Sequence, residues 1–112
     1  MKFFYNPLSA YSQKALIALY EKQVAFEPQF VNLITPEGRD AYAKVYPIGK
    51  IPLLKPSDDH MVPESTSIIE YLEGQHPGGT RLIPADAEAA RQVRFMDRMS
   101  DLYLNNPTVT LL

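Results

Sequence analysis

The order in which short apolar runs and helix-favouring stretches follow one another is what most restricts the fold of this sequence. Residues 3–5 are a brief aromatic run stopped by Asn6-Pro7, the pattern of a short strand ending in a loop. Residues 10–22 favour helix, with Tyr11, Ala15, Ala18 and Leu19 on one face and Leu16 and Tyr20 beside them. Residues 24–33 are extended again, Phe26, Phe30 and Val31 being the best strand formers. Thr35-Pro36-Glu37 reads as a helix start, with a threonine N-cap, a proline at the first helical position and an acid in the first turn. That helix must end before Pro47.

Two short apolar pieces, 51–55 and 60–62, are joined by Ser57-Asp58-Asp59, the pattern of a hairpin with a polar turn. Residues 65–75 return to helix and bury Ile68, Ile69 and Leu72. The order βαβ then ββα predicts an α/β fold in which a small mixed sheet is covered by helices. Pro77-Gly78-Gly79 closes this unit, residues 79–85 form a linker, and an amphipathic helix is expected from about Asp86 to Leu104, before Pro107.

On that last helix Arg91, Arg94, Asp97, Arg98 and Asp101 fall together, which predicts a solvated face with local ion pairs. The apolar residues from Ala89 to Leu104, Val93, Phe95, Met96, Met99, Leu102 and Tyr103 among them, spread over roughly 200° at about 100° per residue. A helix lying on one domain needs a stripe nearer 100° wide, so a second packing partner is expected. Residues 109–112 end the sequence on apolar side chains, which reads as truncation within a longer helical region.

Length and composition bound the function. At 112 residues the chain holds one compact domain but not two. Its net charge of -2 leaves no electrostatic footprint for nucleic acid or for an acidic membrane surface. There is no cysteine, so disulfides, zinc-thiolate sites and thiol-redox centres built on its own sulfur are excluded. His60 and His76 lack partners at metal-ligand spacing, and no metal is expected. The N-terminal apolar run is too short for a signal peptide or a membrane span, which points to the cytoplasm.

Three stretches carry candidate chemistry. Asn6-Pro7-Leu8-Ser9-Ala10-Tyr11-Ser12-Gln13-Lys14 is a strand-to-helix turn with a serine at the helix entrance. On the residues alone Ser9 is an N-cap. Tyr46-Pro47-Ile48-Gly49-Lys50-Ile51-Pro52-Leu53-Leu54 holds a proline at a strand start, and by default that proline is trans and Lys50 is solvated. Pro63-Glu64-Ser65-Thr66-Ser67-Ile68-Ile69-Glu70-Tyr71-Leu72 opens a helix, and Ser67 with Glu70 forms a competing capping box one turn later.

In this order and spacing the three stretches resemble the N-terminal domain of cytosolic glutathione transferases of the serine type. The resemblance implies a thioredoxin-like βαβ-ββα domain with a mixed four-stranded sheet over 1–78. A linker over 79–85 and the first helix of a truncated all-α domain over 86–112 would follow. It implies a transferase that binds glutathione as co-substrate without a metal and presents its thiolate to a small electrophile in detoxification. The full-length form would be a homodimer. A transferase-like interaction module without catalysis stands as the alternative.

Residue by residue, the resemblance assigns the catalytic hydroxyl to Ser9, with Ser12 and then Tyr5 as alternates. A hydroxyl at a helix N-terminus stabilises a bound thiolate, each pKa unit being worth about 1.4 kcal/mol. It makes the Ile51-Pro52 bond cis, with the Ile51 backbone pairing with the cysteinyl part of glutathione, and puts Lys50 near the glycyl carboxylate. The Ser65 N–H and hydroxyl would take the γ-glutamyl carboxylate and Glu64 its ammonium. An acid on the last helix, Asp97 or Asp101, would reach the neighbouring subunit's glutathione.

Overall fold

The computed structural model describes residues 1–106. Its elements are β1 (Lys2–Tyr5), α1 (Ala10–Glu21), β2 (Glu27–Phe30), α2 (Pro36–Ala43), β3 (Leu53–Ser57), β4 (His60–Pro63), α3 (Ser65–Gln75) and α4 (Ala87–Met99). The sheet order is β2-β1-β3-β4, with β1 parallel to β2 and antiparallel to β3, and β3 antiparallel to β4. This is the mixed four-stranded sheet that the element order predicts.

The central strands are apolar at consecutive positions because both faces of the sheet are covered. Successive side chains leave a strand on opposite faces. Phe3 and Leu54 therefore point into one core with Ala15, Ala18 and Leu19 of α1, Val62 of β4, and Ile68 and Leu72 of α3. Their neighbours Phe4 and Leu53 point into a second core with Val31 and Tyr42, beneath α2. Phe3 is fully buried, and its truncation to alanine should cost about 3–5 kcal/mol.

Proline positions follow the hydrogen-bonding ladder. Pro28 lies in β2, an edge strand, where its missing N–H removes no ladder bond between central strands. Pro56 sits where the β3–β4 register slips between Leu54 and Ser57, at a bulge. The bulge carries β3 on to Ser57, and the Ile51-Pro52 turn delays its start to Leu53, so the strand runs two residues later than expected. β2 is likewise shorter than the extended 24–33 stretch, since only Glu27–Phe30 finds partners in β1.

Helix starts agree with the sequence. The Ser9 hydroxyl accepts from Ser12 N–H at 3.2 Å, Thr35 from Gly38 N–H at 3.1 Å and Asp86 from Ala89 N–H at 2.9 Å. The Ser67–Glu70 box is not used: α3 begins at Ser65, and Glu70 instead accepts from Arg94 at 2.7 Å. At its other end, α1 closes on a buried ion pair. Lys22, its side chain 0% exposed, reaches Glu73 of α3 at 3.0 Å. The second Glu73 oxygen accepts the N–H groups of Leu82 and Ile83, which fastens the linker to the sheet unit. Gly79 makes this return possible: φ is +70°, and a Cβ there would lie 2.3 Å from the Glu21 carbonyl oxygen.

The last helix departs from expectation. It is α-helical only to Met99, and Ser100–Asn105 widens into a π-helical turn. The expected continuation at 107–112, with Pro107 and the apolar ending, lies outside the described residues. Ala90 is its one buried residue in the α-helical part, whereas Phe95, Met96 and Leu104 are 55%, 60% and 68% exposed. The charged row is not simply solvated. Arg91 pairs locally with Glu88, but Arg94 crosses to Glu70 of α3, and Asp97 and Asp101 turn inward to Lys14 of α1 at 2.6 and 2.9 Å.

Candidate functional site

A cleft of about 230 Å³ opens where three segments meet: the loop entering β3, the β4–α3 junction, and the end of α4 with its π-helical turn. Lys50, Ile51 and Pro52 form one wall, with Tyr46 beside them. Pro63, Glu64 and Ser65 form the floor. Tyr11 of α1, whose hydroxyl meets Asp101 and Asn106, lines the cleft together with these two and with Arg98 and Leu102.

Local chemistry shapes the first wall. The Gly49 N–H donates to the Tyr46 carbonyl at 2.9 Å, and Gly49 has φ +75°, a left-handed turn that a side chain disfavours. The Tyr42 hydroxyl, buried under the sheet, donates to the Lys50 carbonyl at 2.8 Å and so ties this loop to the second core. The Ile51-Pro52 peptide bond is cis, as the resemblance implies. Ile51 packs partly on the same core, while the Lys50 side chain is exposed and has no hydrogen-bond or ion-pair partner among the described residues.

The floor is an open helix N-terminus. Glu64 occupies the N-cap position of the 11-residue α3, yet makes no capping hydrogen bond. Its φ of +73° is left-handed, a backbone state costing on the order of 1–3 kcal/mol in a non-glycine residue and concentrated at ligand clamps. Ser65 is 3% exposed, and its hydroxyl has no partner among the described residues. The first-turn N–H groups therefore face the cleft without a capping side chain, an arrangement suited to an anion.

On the opposite side, Lys14 binds Thr66, Asp97 and Asp101 together at 3.2, 2.6 and 2.9 Å. Thr66 donates to Asp97 at 2.5 Å. One oxygen of Asp101, Oδ1, is buried without a partner among the described residues. The Tyr11 hydroxyl donates to the Asp101 carbonyl at 3.2 Å and lies against the Asn106 side-chain oxygen. Burial foremost, then the Asp101 and Glu64 charges, push the Tyr11 hydroxyl above the usual phenol range against an opposing pull from Lys14, so it stays a neutral donor.

The five binding residues expected from sequence, Lys50, Ile51, Pro52, Glu64 and Ser65, thus converge on one cleft. The three candidate catalytic hydroxyls do not line it. Ser9 is half-buried at the N-cap; because its oxygen accepts the Ser12 N–H, its own hydrogen is free to donate. Ser12 is fully buried and accepts from Asn6 N–H at 3.3 Å. Tyr5 stacks on Phe3, with ring centroids 5.4 Å apart, and borders a different depression with Leu16 and Tyr20. Sequence reasoning did not find Tyr11, Tyr46, Arg98 or Leu102. The one available signal was the helical spacing of Arg98, Asp101 and Leu102, which puts them on a common face.

Among the described residues no group of three or more His, Asp or Glu is placed to hold a metal ion, and no helix is long and apolar enough to cross a membrane.

Residues 3–80 match the family model described as the N-terminal domain of glutathione S-transferase. The chain is 40% identical over 96 residues to protein LigF of Sphingobium sp. strain SYK-6, covering 84% of this chain and 37% of LigF. It is 37% identical over 91 residues to glutathione S-transferase F10 of Arabidopsis thaliana, covering 80% of this chain and 42% of that protein. The crystal structure of the Sphingobium beta-etherase LigF superposes with a TM-score of 0.87 at 34% identity, over 98% of this chain and 46% of LigF. A Methylobacillus flagellatus glutathione S-transferase solved with glutathione bound superposes with a TM-score of 0.78 at 33% identity, over 89% of this chain and 48% of that one. The chain spans less than half the length of these proteins.

Proposed function

We propose that this chain, which belongs to the glutathione S-transferase family, binds glutathione in the cleft between the Lys50–Pro52 wall and the start of α3. The observation that carries the reading is the convergence of Lys50, Ile51 and Pro52 with Glu64 and Ser65 around one uncapped helix N-terminus.

In this reading the tripeptide's γ-glutamyl carboxylate sits on the Ser65 hydroxyl and the first N–H groups of α3. Glu64 accepts its ammonium, the Ile51 backbone pairs with the cysteinyl unit, and Lys50 balances the glycyl carboxylate. Ser9 is the proposed thiolate donor. None of the three candidates lines the cleft, but the half-buried Ser9 hydroxyl keeps a free hydrogen at the α1 N-terminus, whereas Ser12 has no exposed surface and Tyr5 stacks on Phe3. A hydrogen bond to a charged group together with the α1 dipole is worth about 2–3 kcal/mol, enough to lower a thiol pKa by about two units. The thiol proton passes to solvent; the sulfur then forms a C–S bond to an electrophilic carbon, whose bond to a leaving group breaks, and the leaving group departs with the electron pair.

We extend the proposal to the whole protein: residues 1–78 as the glutathione-binding unit, 79–85 as linker, and 86 onward as the start of an all-α domain that helps hold the electrophile. A cytoplasmic homodimer is part of the same proposal, and the exposed Phe95, Met96 and Tyr103 support further packing against α4.

Calorimetric titration with glutathione tests the binding. Saturable heat at millimolar ligand is expected, weakened about tenfold by Ser65→Ala while the circular dichroism spectrum stays unchanged. The absence of saturable heat in the unaltered chain would refute the reading.

A further inference from the structure

We propose that Arg98 makes this cleft selective for an electrophile that carries a carboxylate on a flat apolar body. The inference rests on the glutathione-binding reading above, and deepens it by naming the second substrate's class.

Three arginines lie along α4, and two have partners. Arg91 holds Glu88 at 2.7 Å, and Arg94 holds Glu70 at 2.7 Å. Arg98 is exposed, lines the cleft, and has no hydrogen-bond or ion-pair partner among the described residues. The acids closest to it in sequence are already engaged, since Asp97 and Asp101 both hold Lys14. Among the described residues Arg98 is therefore the one charged residue of α4 without such a partner, Glu88, Arg91, Arg94 and Asp97 having theirs.

Charge counting within the cleft leads to the same place. Glutathione brings two carboxylates and one ammonium, which the proposed site meets with Lys50, with Ser65 at the α3 N-terminus, and with Glu64. Arg98 is surplus to that set and lines the same cleft as Leu102, Tyr11 and Tyr46, while Asp101, the other acid there, already holds Lys14. Two phenol rings and a leucine offer apolar surface to a planar body. The guanidinium fork offers paired donors to a carboxylate at its rim. Tyr11 stays uncharged and does not repel an anion there.

Two stable mimics of the conjugated state separate the contributions: S-benzylglutathione, and S-(4-carboxybenzyl)glutathione, which adds one carboxylate. Titrated calorimetrically into the 112-residue chain at low salt, the carboxylated conjugate should bind about fivefold more tightly, a preference that shrinks as salt screens an exposed pair. Arg98→Gln should bring the two conjugates to equal affinity and leave glutathione itself unaffected, and Arg98→Lys should keep part of the preference. Equal affinities in the unaltered chain, or a preference that survives Arg98→Gln, would overturn the proposal. So would equal weakening of glutathione and both conjugates, which would assign Arg98 to the tripeptide. If glutathione fails to bind at all, the underlying reading falls first and this proposal with it.

Discussion

Replacing Glu73 by glutamine isolates the interaction that fastens the linker to the sheet unit. The carboxylate bonds the fully buried Lys22 ammonium at 3.0 Å and accepts the backbone N–H groups of Leu82 at 2.5 Å and Ile83 at 2.9 Å. Glutamine keeps an acceptor for one or both N–H groups but leaves the Lys22 charge buried and uncompensated. Removing one partner of a buried pair costs about 3–5 kcal/mol, a large part of the 5–15 kcal/mol of a typical domain. Urea denaturation at neutral pH should show the unfolding free energy falling by that amount, through a lower midpoint at an unchanged slope. Lys22→Met combined with Glu73→Gln should recover part of the loss, with a coupling energy above about 1 kcal/mol.

The pH dependence adds an independent check. Burial alone would raise the Glu73 pKa, but the Ile83 N–H, Lys22 and the Leu82 N–H outweigh it and hold the carboxyl below its usual range. A lowered folded-state pKa stabilises fully above the unfolded value of about 4.3, and that contribution disappears as pH falls through the folded value. The gap between the unaltered chain and Glu73→Gln should therefore be constant near neutrality and narrow below about pH 4. A loss within about 0.5 kcal/mol at neutral pH, or a gap that does not narrow in acid, would refute the assignment of this pair as the tie between linker and sheet.

Three further substitutions, at two positions, probe the site. Ser9→Ala should cost about 1 kcal/mol by loss of the cap, whereas Ser9→Asp keeps the cap and removes the donor hydrogen. Both should raise the thiol pKa of bound glutathione by about one unit or more, read from thiolate ultraviolet absorbance, and an unchanged pKa in both would remove Ser9 from the chemistry. Tyr42→Phe deletes the hydroxyl that donates to the Lys50 carbonyl; burial, and to a lesser degree Tyr46, push that hydroxyl well above the usual phenol range, so it is a donor at any working pH. A stability loss of about 1–2 kcal/mol is expected together with weaker glutathione binding, and full affinity would show that the loop holds its shape without this bond.

Features governed by a few neighbouring residues were legible in the sequence. The caps at Ser9 and Thr35 follow from short polar side chains that reach N–H groups three residues on. The convergence of the proposed binding residues was legible for a related reason: Lys50 to Pro52 and Glu64 to Ser65 are each consecutive residues at one turn, so two short motifs suffice to bring them to the candidate cleft. The paired strands Phe3-Phe4 and Leu53-Leu54 announce a sheet covered on both faces, because a strand alternates its side chains whatever packs against them.

What the tertiary structure alone decided lies between distant segments. Lys14 meets Asp97 and Asp101 across 83 and 87 residues, and Lys22 meets Glu73 across 51. No local pattern distinguishes these charges from solvated ones, and the row on α4 read as a solvated face until α1 supplied the opposite charge. Their roles depend on which helix faces lose water when the sheet brings α1, α3 and α4 together, and desolvation is a property of packing rather than of spacing. By the same process one α4 arginine was left at the cleft without a partner among the described residues, and the sequence, with three arginines alike in kind, did not mark which.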